Sequence, residues 1–160
     1  MKKRIIFGIL AVIIGIGIAL FSESFFREII QDVFKWSTSD NIKFVGKNMY
    51  IFSSKLYYIT FGIVSLILTL ENLNQKLTKV LKSGIICLLI FGILLIGISA
   101  IDANMKVVQC TACDDGIRKL HWNGINYGLI LGASAIISII PSFIRIIKRR
   151  KKPAYNTVYN

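Results

Sequence analysis

The chain is short of charge, and shortest of carboxylates. Only 18% of its 160 residues are Asp, Glu, Lys or Arg, against roughly a quarter in soluble domains. Eight acids stand against twenty Lys and Arg. None of the eight lies inside the four apolar runs described below, so a proton relay or ion-coupled transporter lacks its usual intramembrane groups. No Gly-rich phosphate loop, Ser-x-x-Lys or His-Glu-x-x-His is present, which removes the chemistries those motifs carry. Three cysteines are too few for a disulfide framework.

What the chain has in abundance is apolar residues, 54% of the total, with a mean hydropathy of +0.65. They are gathered into runs rather than spread at helical or strand period, as a surface facing lipid requires. Four runs predict membrane-spanning helices at about 5–21, 50–70, 84–101 and 124–147. The first follows Met1-Lys2-Lys3-Arg4 like a signal peptide. Its 17 residues approach the ~17–25 needed to span and no Ala-x-Ala ends it, so it reads as a retained helix. Lys55 is placed near the outer end of the second run, where it snorkels to the headgroups with Tyr57 and Tyr58 at the boundary. Pro141 should kink the fourth.

Small residues mark helix-packing faces. Ala11, Gly15 and Ala19 recur every fourth residue in the first run, and Gly124, Gly128 and Gly132 make two overlapping Gly-xxx-Gly steps in the fourth. Such stripes let helix backbones approach closely. The lone Cys87 of the third run reads as a small packing residue. The remaining hydroxyls and the amide of the spans, such as Thr60, Ser99, Asn126, Ser134, Ser138 and Ser142, can bond their own backbone or a neighbouring helix.

Outer loops are expected at 22–49 and 102–123, and a basic cytoplasmic tail at 148–160. The first half of 22–49 has helical period: Phe25, Phe26, Ile29, Ile30, Val33 and Phe34 alternate with Glu23, Arg27, Glu28, Gln31, Asp32 and Lys35. It predicts an amphipathic helix ending at the interfacial anchor Trp36. Residues 37–48 read as loop or weak extended structure. Twelve of the twenty basic residues fall on the N-terminus, the 71–83 loop and the basic C-terminal end counted from Arg145, opposed only by Glu71. The rest of the chain, Lys55 included, carries eight basic residues against seven acids. The positive-inside rule therefore puts both termini in the cytoplasm. The excess charge then orients the chain and meets anionic lipid, without a nucleic-acid partner.

One stretch gathers reactive side chains: Cys110-Thr111-Ala112-Cys113-Asp114-Asp115-Gly116. As a redox pair, Cys110 and Cys113 have the spacing in which one thiol attacks and the other resolves the mixed disulfide. Asp114 and Asp115 oppose reactivity by disfavouring the thiolate. As a metal site, Cys110, Cys113 and His121, with Asp114 or Asp115, offer thiolate, imidazole and carboxylate donors. As a staple, a Cys110–Cys113 disulfide fixes a turn, Asp114 or Asp115 caps a short helix through Trp122, and Gly116 eases the corner. The staple reading accounts for the acids and the glycine together.

Four spans with an outward Cys-x-x-Cys resemble two families that pass electrons from thiols to quinone, the disulfide-bond formation protein B family and the vitamin K epoxide reductase family. The resemblance covers helix count and this one spacing. The second outer-loop cysteine pair of those families has no counterpart between Ser22 and Tyr50, so no family role is carried over.

The sequence thus predicts a single polytopic domain over 1–160, an all-α integral membrane protein in the cytoplasmic (inner) membrane of a bacterium. It is a four-transmembrane-helix bundle with an extracytoplasmic amphipathic helix. The expected function is that of a non-enzymatic accessory or scaffold subunit with no cofactor, its partners the lipid bilayer and another membrane protein or itself. The alternatives are a membrane thiol–disulfide oxidoreductase using Cys110 and Cys113, and an immunity- or sensor-type protein.

Overall fold

A computed structural model describes residues 2–38, 42–46, 56–73, 75–109 and 118–150. Within them the chain is mostly helical. The elements run α1 (Lys2–Phe21), α2 (Glu23–Ser37), β1 (Ile42–Val45), α3 (Leu56–Asn72), α4 (Leu77–Gln109), β2 (Arg118–His121), a single 3-10 turn (Trp122–Gly124) and α5 (Tyr127–Arg150). Two helices, α4 and α5, are long and apolar enough to cross a membrane, and α1 with α2 makes a third if that bent pair is one span. The apolar helix α3, at 17 residues, is shorter than the usual ~20.

The break between α1 and α2 has a local cause. Ser22 donates its hydroxyl to the Ile18 carbonyl at 2.6 Å, and such back-bonding bends helices. The axis turns by 54° there. Beyond the bend α2 buries Ile30, Gln31 and Phe34 and packs on α4. Thr38 stops it in extended conformation, its hydroxyl bonded to the Phe34 carbonyl at 2.7 Å, which satisfies one of the carbonyls a helix end leaves open.

In the bundle, α3 is the central helix, packed extensively on α1 and α5 but only sparingly on α4, which leans on α5 instead. Tyr57, Thr60 and Glu71 are buried on α3; with Val64 and Ile67 between them they step by three and four, the period of a helical seam. Cys87, Leu95, Ser99 and Ala103 form the buried face of α4, and Ile130, Leu131, Ser134, Ala135, Ser138 and Ser142 that of α5. Ser99, Ser134 and Ser138 bond carbonyls of their own helices, and Cys87 Sγ lies 3.6 Å from Ser138 Oγ. The faces turned away from these seams carry Leu88, Leu89, Ile93, Ile136 and Ile140, an apolar exterior suited to lipid.

Several boundaries differ from expectation. α4 overruns the 84–101 span at both ends, so most of the expected 71–83 loop is helix. The strand β1 occupies the stretch read as loop or weak extended structure, and it pairs in parallel with β2, Ile42 opposite Arg118 and Val45 opposite His121. The short helix expected through Trp122 is replaced by β2 and the 3-10 turn: residues 118–121 find partners in β1 that a helix could not have used. α5 starts only at Tyr127 and runs through Pro141 to Arg150. Lys55 lies outside the described residues.

Candidate functional site

The segment containing Cys110, Cys113, Asp114, Asp115 and Gly116 lies outside the described residues, but both of its flanks are placed. α4 ends at Gln109 and β2 begins at Arg118. Arg118 Nη1 donates to the Val107 carbonyl at 2.9 Å, which ties β2 back onto the last turn of α4. A cation at that position satisfies an open carbonyl and the negative end of the helix dipole together. The end of α4 and the start of β2 therefore meet at one anchored point.

Around that point α2, the two strands and the 3-10 turn form a layer at one end of the bundle. Phe44 of β1 stacks on Trp122, centroids 4.4 Å apart and rings 14° from parallel, and Lys35 of α2 stands 5.8 Å above the same indole. Beneath them a polar chain crosses the top of the bundle. Glu23 accepts from Arg27 at 3.2 Å and from the Tyr58 hydroxyl at 2.8 Å. The Arg27 guanidinium lies 5.5 Å over the Tyr127 ring. Gln31 donates to the Tyr127 hydroxyl at 3.0 Å, which in turn donates to the Trp122 carbonyl at 3.1 Å. Tyr57, expected at the boundary, is instead fully buried and donates to the Ala19 carbonyl at 3.0 Å, holding α3 to α1.

His121 lies exposed on β2, its Nδ1 near Gly46, where a Cβ would meet it at 3.6 Å. Gly46 has φ +101°, a backbone conformation that favours glycine. No group of three or more His, Cys, Asp and Glu converges among the described residues, and Cys87, the one cysteine there, is free and buried.

The packing residues separate into two sets. Ala11, Gly15 and Ala19 are all buried. A Cβ on Gly15 would stand 2.5 Å from the Phe61 carbonyl oxygen and 2.7 Å from Ser65 Cβ, so α1 and α3 meet backbone to backbone there. On the other helix, Gly128 and Gly132 are buried, with Thr60 3.6 Å from the Cβ position of Gly132. Gly124 lies ahead of α5 in the 3-10 turn, exposed and with nothing within 4 Å.

A second polar cluster, at the end of the bundle where α5 finishes, did not stand out in the sequence. Glu71 is buried in the last turn of α3, its side chain 2% exposed, and pairs at 2.9 Å with Nε of Arg145, which is 38% exposed. Ser83 of α4 donates to the other Glu71 oxygen at 2.9 Å. Arg145 Nη2 reaches Ser142 at 3.0 Å and Ser83 at 3.3 Å. Glu71 is thus no loop acid and Arg145 no free member of the basic tail. One ion pair joins α3 to α5, with Ser83 drawing in α4. The signal was there to read: Glu71 continues the Tyr57–Thr60–Val64–Ile67 seam in register.

Comparison with protein-family models, with curated proteins and with solved structures finds no match to this chain.

Proposed function

We propose that this chain is a four-span membrane protein with both termini cytoplasmic. We propose that it serves as a non-enzymatic accessory or scaffold subunit of a membrane complex, holding a rigid layer outside the bilayer for a partner to rest on. The spanning reading is supported by the sheet. Parallel pairing puts β1 and β2 on one side of any bilayer, so the chain between them crosses an even number of times. If α4, long and apolar enough to cross, does cross, α3 crosses as well, its ~25 Å falling little short of the ~30 Å core. The distribution of Lys and Arg supports the orientation.

The observation that carries the subunit reading is the outer layer itself. Its polar groups engage one another, Glu23 with Arg27 and Tyr58, and Gln31 with Tyr127. Aromatic side chains stay exposed on its helix, Phe25 and, at 79%, Trp36. A preorganised scaffold presenting exposed aromatics fits the way interface anchors work.

Extraction in mild detergent tests this. A companion membrane protein should co-purify at fixed stoichiometry and be lost on Trp36→Glu. Purification as a lone monomer, or an unchanged companion with that variant, overturns the subunit reading. If alkylation in intact cells instead traps a mixed disulfide on Cys110 or Cys113, the oxidoreductase takes its place. Orientation has a separate check: in a cysteine-free background, a membrane-impermeant thiol reagent should label Lys43→Cys and spare Lys76→Cys.

A further inference from the structure

The sparse contact between α3 and α4 leaves a cleft, with Phe7 of α1 on one side, Leu68, Thr69 and Asn72 of α3 as its floor, and Val80 and Gly84 of α4 on the other side. Its volume is about 570 Å³, within the ~300–1,000 Å³ of pockets that enclose a small organic ligand. We propose that this cleft is a binding site for one acyl chain of an anionic phospholipid. The headgroup lies at the end of the bundle where α4 begins. The inference rests on the membrane-spanning part of the reading above and not on the subunit role.

Shape, length and charge favour that occupant. The walls are mostly hydrocarbon, with Thr69 and Asn72 adding polar atoms toward the end of α3 and Ser65 a single hydroxyl deeper in. Farther into the bundle the space between α3 and α4 is filled by Phe26 of α2, which meets Phe61 at 6.0 Å and Phe91 at 5.5 Å, while Phe61 and Phe91 meet edge-on at 6.0 Å. Gly84 and Phe91 are seven residues apart and share a face of α4. From Val80 to Phe91 is about 16 Å of helix at ~1.5 Å per residue, close to half of a ~30 Å hydrocarbon core. The cleft itself is lined along α3 and the residue after it, from Ser65 to Leu73, about 12 Å at ~1.5 Å per residue, so it takes the headgroup-proximal part of an acyl chain of one leaflet.

At the open end the chemistry is cationic. Lys76, one helical turn before Val80, is exposed, as are Lys79 and Lys82, and α1 opens with Lys2-Lys3-Arg4. The acid of that region, Glu71, is paired with Arg145 and buried, so it does not oppose a phosphate. Basic residues beside a groove at a leaflet surface are the recognised chemistry of anionic lipid sites.

Glycine makes the test clean. A Cβ at Gly84 meets nothing within 4 Å, and neither does one at the exposed Gly97 of the same helix, so Gly84→Phe fills the cleft and Gly97→Phe is its control. The full chain is reconstituted in nanodiscs of phosphatidylglycerol, or of phosphatidylcholine, then extracted and delipidated. Bound lipid is counted by native mass spectrometry. The expected result is one phosphatidylglycerol retained by the natural chain and by Gly97→Phe, and at least tenfold less by Gly84→Phe. Retention from phosphatidylcholine should also be at least tenfold lower. Equal retention by Gly84→Phe, equal retention of the two lipids, no retained lipid, or release of a protein instead of lipid by Gly84→Phe each overturn the proposal. Those outcomes leave co-purification of a partner with Trp36 unaffected, so the two readings fail separately.

Discussion

The two ends of the bundle are both held by polar side chains, yet they are built on opposite plans. At the end that carries α2 and the sheet the load is spread over Glu23, Arg27, Gln31, Tyr58 and Tyr127, reinforced by the Phe44–Trp122 stack. At the other end it centres on one buried carboxylate, Glu71, with Arg145 as charge partner and Ser83 beside it. A distributed network keeps most of its bonds when one member is removed. Removing Arg145 takes a countercharge from a buried carboxylate. The difference teaches where this chain is robust and where it is brittle.

The sharpest way to break the comparison is Arg145→Ala. It removes the Arg145 countercharge from the buried Glu71 carboxylate, and the expected cost is about 3–5 kcal/mol, read as a lower midpoint of thermal unfolding in detergent. Glu71→Ala should cost clearly less, because the half-exposed Arg145 can turn its head to water or lipid phosphate. Replacing both by apolar residues, Glu71→Leu with Arg145→Met, should recover most of the loss. Equal costs for the two single changes would mean that the pair is not asymmetric in burial.

Next in size is Gly15→Ala. The new methyl meets a backbone carbonyl that cannot move without shifting α3, so about 1–3 kcal/mol should be lost. Gly17→Ala, with nothing within 4 Å, should be neutral or slightly stabilising in the same measurement. Tyr127→Phe probes the distributed network and removes the link between Gln31 and the Trp122 carbonyl. A loss of about 1–2 kcal/mol is expected, with protection from hydrogen exchange reduced in α2 before the bundle. Smallest is Asp32→Ala, which breaks an exposed pair with Lys35 and should change stability by no more than about 0.5 kcal/mol.

What could be read beforehand follows the strength of the local signal. α2 was legible almost to the residue, because Phe26, Ile30 and Phe34 against Glu23, Arg27 and Lys35 leave little choice of face. The apolar runs located α1 and α5 well, but a run measures the bilayer and not the helix. Lys79, Lys82, Asn104 and Lys106 carry α4 beyond it at both ends, since nothing in those residues stops a helix. β1 has only four residues, and its partner lies 76 positions later, so no local pattern announces the pairing. Glu71 was missed for another reason. Counted by charge it belongs to a loop, whereas by position it belongs to a seam, and its partner Arg145 looked like part of a basic tail. Of the candidate chemistry, His121 is placed on β2, while Cys110 and Cys113 lie outside the described residues.

The parallel sheet also sets a schedule for biogenesis. At the ~5–20 residues per second of synthesis, the 76 positions between Ile42 and Arg118 leave β1 without its mate for about 4–15 s. On the four-span topology proposed above, both α3 and α4 have to insert in that interval. A chain in which only one of them crossed would have its strands on opposite faces of the bilayer, and Phe44 would never meet Trp122. On that topology, closure of so small a sheet would act as a proofreading step on membrane insertion. A misinserted chain displays an orphan strand edge of the kind that invites aggregation, a mark by which proteases can sort it from its correctly threaded siblings.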